Sequence, residues 1–274
     1  MPRMKRFYSV LGWIAIAYMA ALFLYPLLNV LTTSLKSGGS FSLEQYEKVF
    51  SSAVYMKVLG RTMGIAAVST VISLVLGYAL AWFIASRRPS SQGIWLMLII
   101  SPMFMSLTVR LYGWLIILSN DGPVAAVSRA LRFSQEVSLL FSNFSVIVGI
   151  VHYVLPFVVL NIYTSLKKLN PSLLEASMML GASSARTFWR VTFPLSLPGV
   201  FAGGSIAFAL AANTFLVPLM LGGPKTNLLS NMAYDATITI GNFGLGSALS
   251  IVLLAIVVIV LVLMGVLERR GHHA

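Results

Sequence analysis

Few side chains in this chain can do chemistry. Of 274 residues 9% are charged, three are histidine and none is cysteine, so every candidate can be weighed singly. Without cysteine there is neither a disulfide framework nor a thiolate metal site. An enzyme would need a nucleophile beside a base, paired carboxylates or a metal cluster. His152 is the one histidine inside an apolar run, while His272 and His273 belong to the tail after Arg269 and Arg270. A packed or hydrogen-bonded His152 is therefore expected, and no catalytic residue or metal site is assigned. Nor is there a Gly-x-x-x-x-Gly-Lys-Ser/Thr loop whose backbone N–H groups and lysine would cradle phosphates.

The most informative polar island is Glu175-Ala176-Ser177-Met178-Met179-Leu180-Gly181, followed by Val191-Thr192-Phe193-Pro194. Asn170-Pro171 supplies a cap and a proline at the first helical position, and Ser172 with Glu175 has capping-box spacing. The helix that starts there carries Leu173, Leu174, Ala176, Met178, Met179 and Leu180. It stops at Gly181, a residue suited to the left-handed conformation of a helix terminus. A second short helix, starting near Ser183 or Ser184, shows Phe188, Trp189 and Val191 before Pro194 and Pro198 end it. Exposed apolar side chains with adaptable methionines make the segment at about 167–194 a docking projection.

The elements around this island are hydrophobic, as 58% of the chain is, a composition foreign to soluble domains. Uncharged runs extend over Phe7 to Leu35, Thr62 to Ser86, Pro89 to Val109, Val137 to Leu166, Val191 to Pro224 and Ala236 to Leu267. Each exceeds the roughly 20 residues needed to cross a hydrocarbon core, and backbone polar groups in lipid must be satisfied within helices. The expected fold is an all-α membrane protein, a single domain over 1–274 with six transmembrane helices. The first run is too long for a cleaved signal peptide and reads as a retained helix.

With the N-terminus inside, the inner segments hold Arg3, Lys5, Arg6, Arg87, Arg88, Lys167, Lys168, Arg186, Arg190, Arg269 and Arg270. The outer ones hold Lys36, Lys48, Lys57, Arg61, Arg129, Arg132 and Lys225. Eleven against seven favours both termini in the cytoplasm. The net charge of +12 is then mainly a topology signal and an attraction to anionic lipid. Nucleic-acid binding is not supported, because no basic stripe with interleaved aromatics occurs.

Between the spans, Ser42 and Gln45 have capping-box spacing ahead of Tyr46, Val49 and Phe50, which predicts a short amphipathic helix on the outer surface. A second outer loop, Ser119 to Asn143, opens on the turn Asn120-Asp121-Gly122-Pro123 and continues through Ala125, Leu131 and Leu139, either packing over the outer mouth or contacting a partner. Candidate residues for a path through the membrane are Arg110, Tyr112, Trp114, Asn213, Thr214 and Asp235. Arg110 is the one charge placed within a span. In a straight third helix entered near Gly93 it would lie roughly 25 Å along, near the outer boundary. There it either snorkels or pairs with Asp121, or it lines the path. Asn213 and Thr214 offer neutral hydrogen bonds either to a ligand or between helices. Asp235, with Tyr234, would meet a cationic cargo or be solvated. Gly199, Gly203, Ala207 and Ala211 form a small-residue stripe that lets another helix approach, within the chain in preference to a second subunit.

The cytoplasmic island resembles the signature of the permease subunits of type I ABC importers: Glu-Ala-Ala, three residues, Gly, nine residues, Ile-x-Leu-Pro. Glu175, Ala176, Gly181 and Pro194 match it, Val191 stands at the isoleucine position, and Ser177 and Phe193 depart mildly. The resemblance covers about Leu11 to Leu267 and is greatest to permeases for spermidine, putrescine and related compounds. It is carried by Ser101-Pro102, Val109-Arg110-Leu111-Tyr112-Gly113-Trp114, His152-Tyr153-Val154-Leu155-Pro156-Phe157 and Phe215-Leu216-Val217-Pro218-Leu219-Met220-Leu221-Gly222-Gly223.

Membership would make Glu175 to Gly181 a coupling helix, in the loop between helices 4 and 5, seated in a groove of a separate ATPase. ATP and Mg would belong to that ATPase dimer and no cofactor to this chain. Glu175 would orient the helix through its capping bond and charge. The further partners would be a second permease subunit, a related but different chain, and an extracytoplasmic substrate-binding protein, in a bacterial cytoplasmic membrane. The cargo would be a small charged organic nutrient, polyamine first. Permeases of that kind tend to carry an acid just before Phe215, where this chain has Asn213 and Thr214, so an opine, an amino-acid derivative, thiamine, ferric iron or phosphonate stand as alternatives. A self-contained secondary transporter is the reading from another class. It would ordinarily need ionisable groups at mid-membrane and inverted repeats, and neither is evident.

Overall fold

The computed structural model describes residues 2–37, 40–130 and 139–271. Leu131, Arg132, His272 and His273, and the start of the fourth run at Val137, lie outside them. Thirteen helices make up almost all of the described chain: α1 (Pro2–Ser34), α2 (Glu44–Ser51), α3 (Ala53–Ala85), α4 (Pro89–Ile100), α5 (Leu107–Leu118), α6 (Pro123–Ala130), α7 (Asn143–Lys167), α8 (Pro171–Met179), α9 (Ser184–Thr187), α10 (Phe193–Ala212), α11 (Leu216–Leu221), α12 (Leu229–Tyr234) and α13 (Phe243–Gly271). A two-residue hairpin, β1 (Lys36–Ser37) with β2 (Ser40–Phe41), joins α1 to α2.

Five segments are long and apolar enough to cross a membrane singly, namely those ending in α1, α3, α7, α10 and α13. The sixth is broken. Pro89–Phe104 ends in a 3-10 turn through Pro102, Met105 is extended, and Leu107–Val127 sets off at 96° to it. The straight third helix expected from the uninterrupted run is thus corrected: an apolar run records that a segment is buried in lipid but not its direction.

The bent pair still returns the chain across the bundle. The Gln92 side chain accepts from the Tyr163 hydroxyl at 2.9 Å, at the C-terminal end of α7. At the other end, Phe141 N–H donates to Leu221 O, ahead of the start of α7. Gly77 meets Val158, Gly203 meets Val158, and Met264 lies beside Gly204. Hence α3, α7 and α13 run in one direction and α10 runs against them. Six crossings follow, with both termini on the side that carries the basic excess.

Helices α3, α7 and α10 form the core, around the fully buried Ala66, Val154, Val158, Ile162, Ala207 and Ala211. The small-residue stripe explains how closely they pack. A Cβ on Gly199 would fall 2.5 Å from Ser165 Cβ and 2.7 Å from Asn161 O. The stripe therefore serves contact within the chain, between α10 and α7. By contrast α1 rests on α13 and is exposed along its apolar side chains from Gly12 to Leu31, as a lipid-facing helix is. The second spanning helix begins earlier than the uncharged run at Thr62, since α3 already includes Lys57 and Arg61. Arg61 is accommodated at the outer end by donating to Asn227 O at 3.3 Å.

Candidate functional site

The inner end of the bundle carries the docking projection. Asn170 Oδ1 accepts from Ser172 N–H at 3.1 Å and Pro171 occupies the first turn, which starts α8. The capping box between Ser172 and Glu175 does not form, because Asn170 already takes the Ser172 N–H. Glu175 is exposed and makes no side-chain hydrogen bond or ion pair among the described residues, so the orienting bond expected of it is corrected; its carboxylate faces outward.

The helix ends in a paired turn. Ala182 N–H donates to Ser177 O at 3.2 Å and Gly181 N–H to Met178 O at 2.9 Å, with Gly181 at φ +80°. This is the six-to-one and five-to-two pattern of a Schellman terminus, which needs the left-handed region that glycine enters without penalty. Ser177 also bonds the Thr187 hydroxyl at 3.0 Å, tying α8 to α9 across the turn. A hydroxyl at this position thus has a structural job that alanine could not do.

Ser183 caps α9 by accepting from Arg186 N–H. Pro194 and Pro198, however, do not end the second helix. A π-helical turn over Phe188–Thr192 carries the chain directly into α10, where Pro194 falls in the first turn and needs no N–H, and Pro198 lies within the helix. Val191 is half-buried and Pro194 exposed. Phe188 turns inward against Tyr78, Trp82, Trp189 and Phe193, with ring centroids 5.1 to 6.2 Å away. The outward surface is left to Met179 and Leu180, each 89% exposed, with Ala176, Met178 and Trp189 beside them.

Beside α8 on the same end, a groove of about 620 Å³ opens between α7 and α10, lined by Asn161, Thr164, Lys168, Leu173, Leu195 and Gly199 among others.

The path candidates divide into two groups. On the bent segment, Trp114 Nε1–H donates to His152 Nδ1 at 3.2 Å, so Trp114 and His152 are a bonded pair between α5 and α7, as the packed histidine was expected to be. Arg110 lies in the first turn of α5, in electrostatic reach of His152 and Tyr153, with Nε and Nη1 enclosed and without a hydrogen-bond partner among the described residues. It does not pair with Asp121. Tyr112 points outward.

At the outer end of α10, Asn213 is exposed and Thr214 is 7% exposed. The Thr214 carbonyl accepts from the Ser230 hydroxyl at 2.6 Å, which ties the end of α10 to α12. Asn213 lines a cavity of about 420 Å³ with Ser230, Tyr234, Thr237 and Ser250, whereas Asp235, which follows Tyr234 at the head of a second π-helical turn, 235–239, is not in its lining. Sequence reasoning missed Ser230, Thr237 and Ser250. The spacing of Ser230, Tyr234 and Thr237, four and three residues apart, is the helical-face signal that would have found two of them.

A family model described as binding-protein-dependent transport system inner membrane component matches residues 73–272. The chain is 34% identical over 214 residues to the spermidine/putrescine transport system permease protein PotB of Escherichia coli (strain K12), 78% of each chain. To the protein of that name from Haemophilus influenzae it is 29% identical over 267 residues, 93% of each. Its fold matches a bacterial ABC transporter involved in the import of the acidic polysaccharide alginate with a TM-score of 0.83, at 16% identity and covering 98% of both chains.

Proposed function

The chain belongs to the family of binding-protein-dependent transport system inner membrane components, and on that premise we propose that it couples to a separate ATPase through α8 and admits a small organic amine. It is a multi-pass inner-membrane permease component of an ABC importer, not an enzyme. The observation that carries the proposal is the inner projection, a short helix with Met179 and Leu180 almost fully exposed and the unpaired carboxylate of Glu175 beside them. A monomer gains nothing by holding such apolar tips in water, whereas a groove on a partner would bury them.

ATP and Mg bind to the ATPase dimer. Closing it draws the coupling helices of two permease subunits together and shifts a two-state equilibrium between inward-open and outward-open bundles. Glu175, Ala176, Ser177 and Gly181 transmit that closure without touching cargo, and Val191 and Pro194 connect them to α10. An extracytoplasmic binding protein delivers the cargo. Polyamine is favoured by the relatives named for spermidine and putrescine.

The test is ATP hydrolysis by the complete transporter reconstituted in lipid, with and without its binding protein, across polyamines, opines, amino acids and phosphonates. Stimulation by spermidine or putrescine is expected. Failure to assemble with any ATPase in a well-folded preparation would remove the coupling-helix assignment.

A further inference from the structure

Resting on the amine reading above, we propose that the outer groove bounded by Asn213, Ser230, Tyr234, Thr237 and Ser250 is the site where this permease holds an alkylammonium end of its cargo. Hydrogen-bond direction carries the argument. Asn213 Nδ2 donates to Ala209 O at 2.9 Å, and because a carbonyl only accepts, the amide is fixed with Oδ1 as its free acceptor. The Ser230 hydroxyl donates to Thr214 O at 2.6 Å, Thr237 to Ala233 O at 2.8 Å and Ser250 to Gly246 O at 2.9 Å.

Each of these groups has committed a donor to the backbone, and each hydroxyl its only proton. What remains is lone pairs on the three hydroxyls, and on Asn213 the Oδ1 acceptor with one N–H, all lining one cavity. Back-bonding to a carbonyl four residues earlier is ordinary in a helix. Convergence of three such groups from three separate segments of chain is not, and Ser230 joins them by reaching across to Thr214 on another segment.

An acceptor-rich wall favours a ligand that is all donor. A primary ammonium offers three N–H donors and no acceptor; a carboxylate or oxyanion offers only acceptors and would face lone pairs except at the second Asn213 N–H and the Tyr234 hydroxyl. Tyr234 adds a π surface. Its ring packs against Phe215 with centroids 4.7 Å apart and is 44% exposed, which leaves room for a cation over an aromatic face. Asp235 follows directly, and no cation pairs with it among the described residues. The inner groove differs, for Lys168 places a donor-only cation in its wall. An ammonium is thus held at the outer groove and repelled at the inner one. The acid missing before Phe215 is replaced by neutral acceptors. π-Helical turns such as 235–239 recur at functional sites.

The experiment is uptake of radiolabelled putrescine, and of glutarate as a dianion of similar length, by the complete transporter with its binding protein in proteoliposomes. Variants are Asn213→Leu, Asn213→Asp, Ser230→Ala and Tyr234→Leu, each checked for assembly by co-purification with the ATPase. Putrescine but not glutarate should be taken up. Asn213→Leu should raise the KM for putrescine about tenfold or more, as expected for losing a hydrogen bond to a charged group. Asn213→Asp should lower it, which a merely structural role for Asn213 would not produce. Unchanged KM in Asn213→Leu and Tyr234→Leu, with wild-type putrescine uptake intact, overturns the groove and leaves the amine reading standing. Uptake of glutarate and not putrescine, by a complex that assembles and hydrolyses ATP, overturns both.

Discussion

Gly181 is where backbone geometry and coupling can be separated from each other. At φ +80° nothing lies within 4 Å of an added Cβ, so a substitution there meets no steric neighbour and acts only through the left-handed backbone. That region costs an L-residue about 1–2 kcal/mol, which opens the Schellman turn roughly 5- to 30-fold more often. Asparagine tolerates the conformation better than alanine, and a β-branched residue tolerates it least. The expected order of transport is therefore Gly181, then Gly181→Asn, Gly181→Ala and Gly181→Val. The assay is solute taken up per ATP hydrolysed by the reconstituted transporter at matched abundance, alongside hydrogen exchange at the amides of Gly181 and Ala182. In Gly181→Val both amides should exchange faster and uptake per ATP should fall while hydrolysis continues. Wild-type uptake per ATP in Gly181→Val, or an asparagine variant worse than valine, would refute the reasoning.

Phe188→Ala removes the ring that docks the loop on α3. A fully buried phenylalanine truncation costs about 3–5 kcal/mol, and this half-buried one should cost less, seen as faster proteolysis between 180 and 192 with the rest of the bundle intact. Ser177→Ala, which restores the second alanine of the signature the island resembles, should loosen α8 from α9 by about 1 kcal/mol, read by exchange at the same amides. Gly199→Leu should prevent α10 from seating on α7, because backbone at Asn161 O cannot yield; loss of the folded protein from the membrane fraction is the readout. Trp114→Phe, which deletes the donor to His152, should change thermal stability in lipid little, since bonds of this kind average about 0.6 kcal/mol.

Much of the inner projection was legible in sequence because its signals are local. Asn170-Pro171, Ser183 and Gly181 each act on the backbone within a few residues, and all three do what their types suggest. The break at Met105 was not legible: both sides of it are apolar, and composition carries no direction. In the sequence Pro194 and Pro198 look like punctuation, whereas proline fits a first turn and a π-helical turn ahead of it absorbs the change of pitch. The pairs Gln92–Tyr163 and Trp114–His152 join segments 71 and 38 residues apart, a distance over which spacing says nothing. The outer groove is in between. Asn213 and Asp235 stood out as polar residues, but its chemistry depends on which way Ser230, Thr237 and Ser250 donate, and that is a property of the folded backbone.

The nest around Phe188 decides where the molecule can flex. Rings from α3 and α10 grip the loop from two sides, and Tyr78 adds a 2.9 Å hydroxyl bond to Ser196. A push on α8 is consequently not absorbed at the loop, because sliding it would pull several aromatic contacts apart at once. The projection behaves as the short arm of a lever whose long arm is the α3–α10 pair. Bending must then occur where helices are joined without such a grip. The extended residue Met105 is such a joint, so movement at the cytoplasmic end would be taken up at the break between α4 and α5.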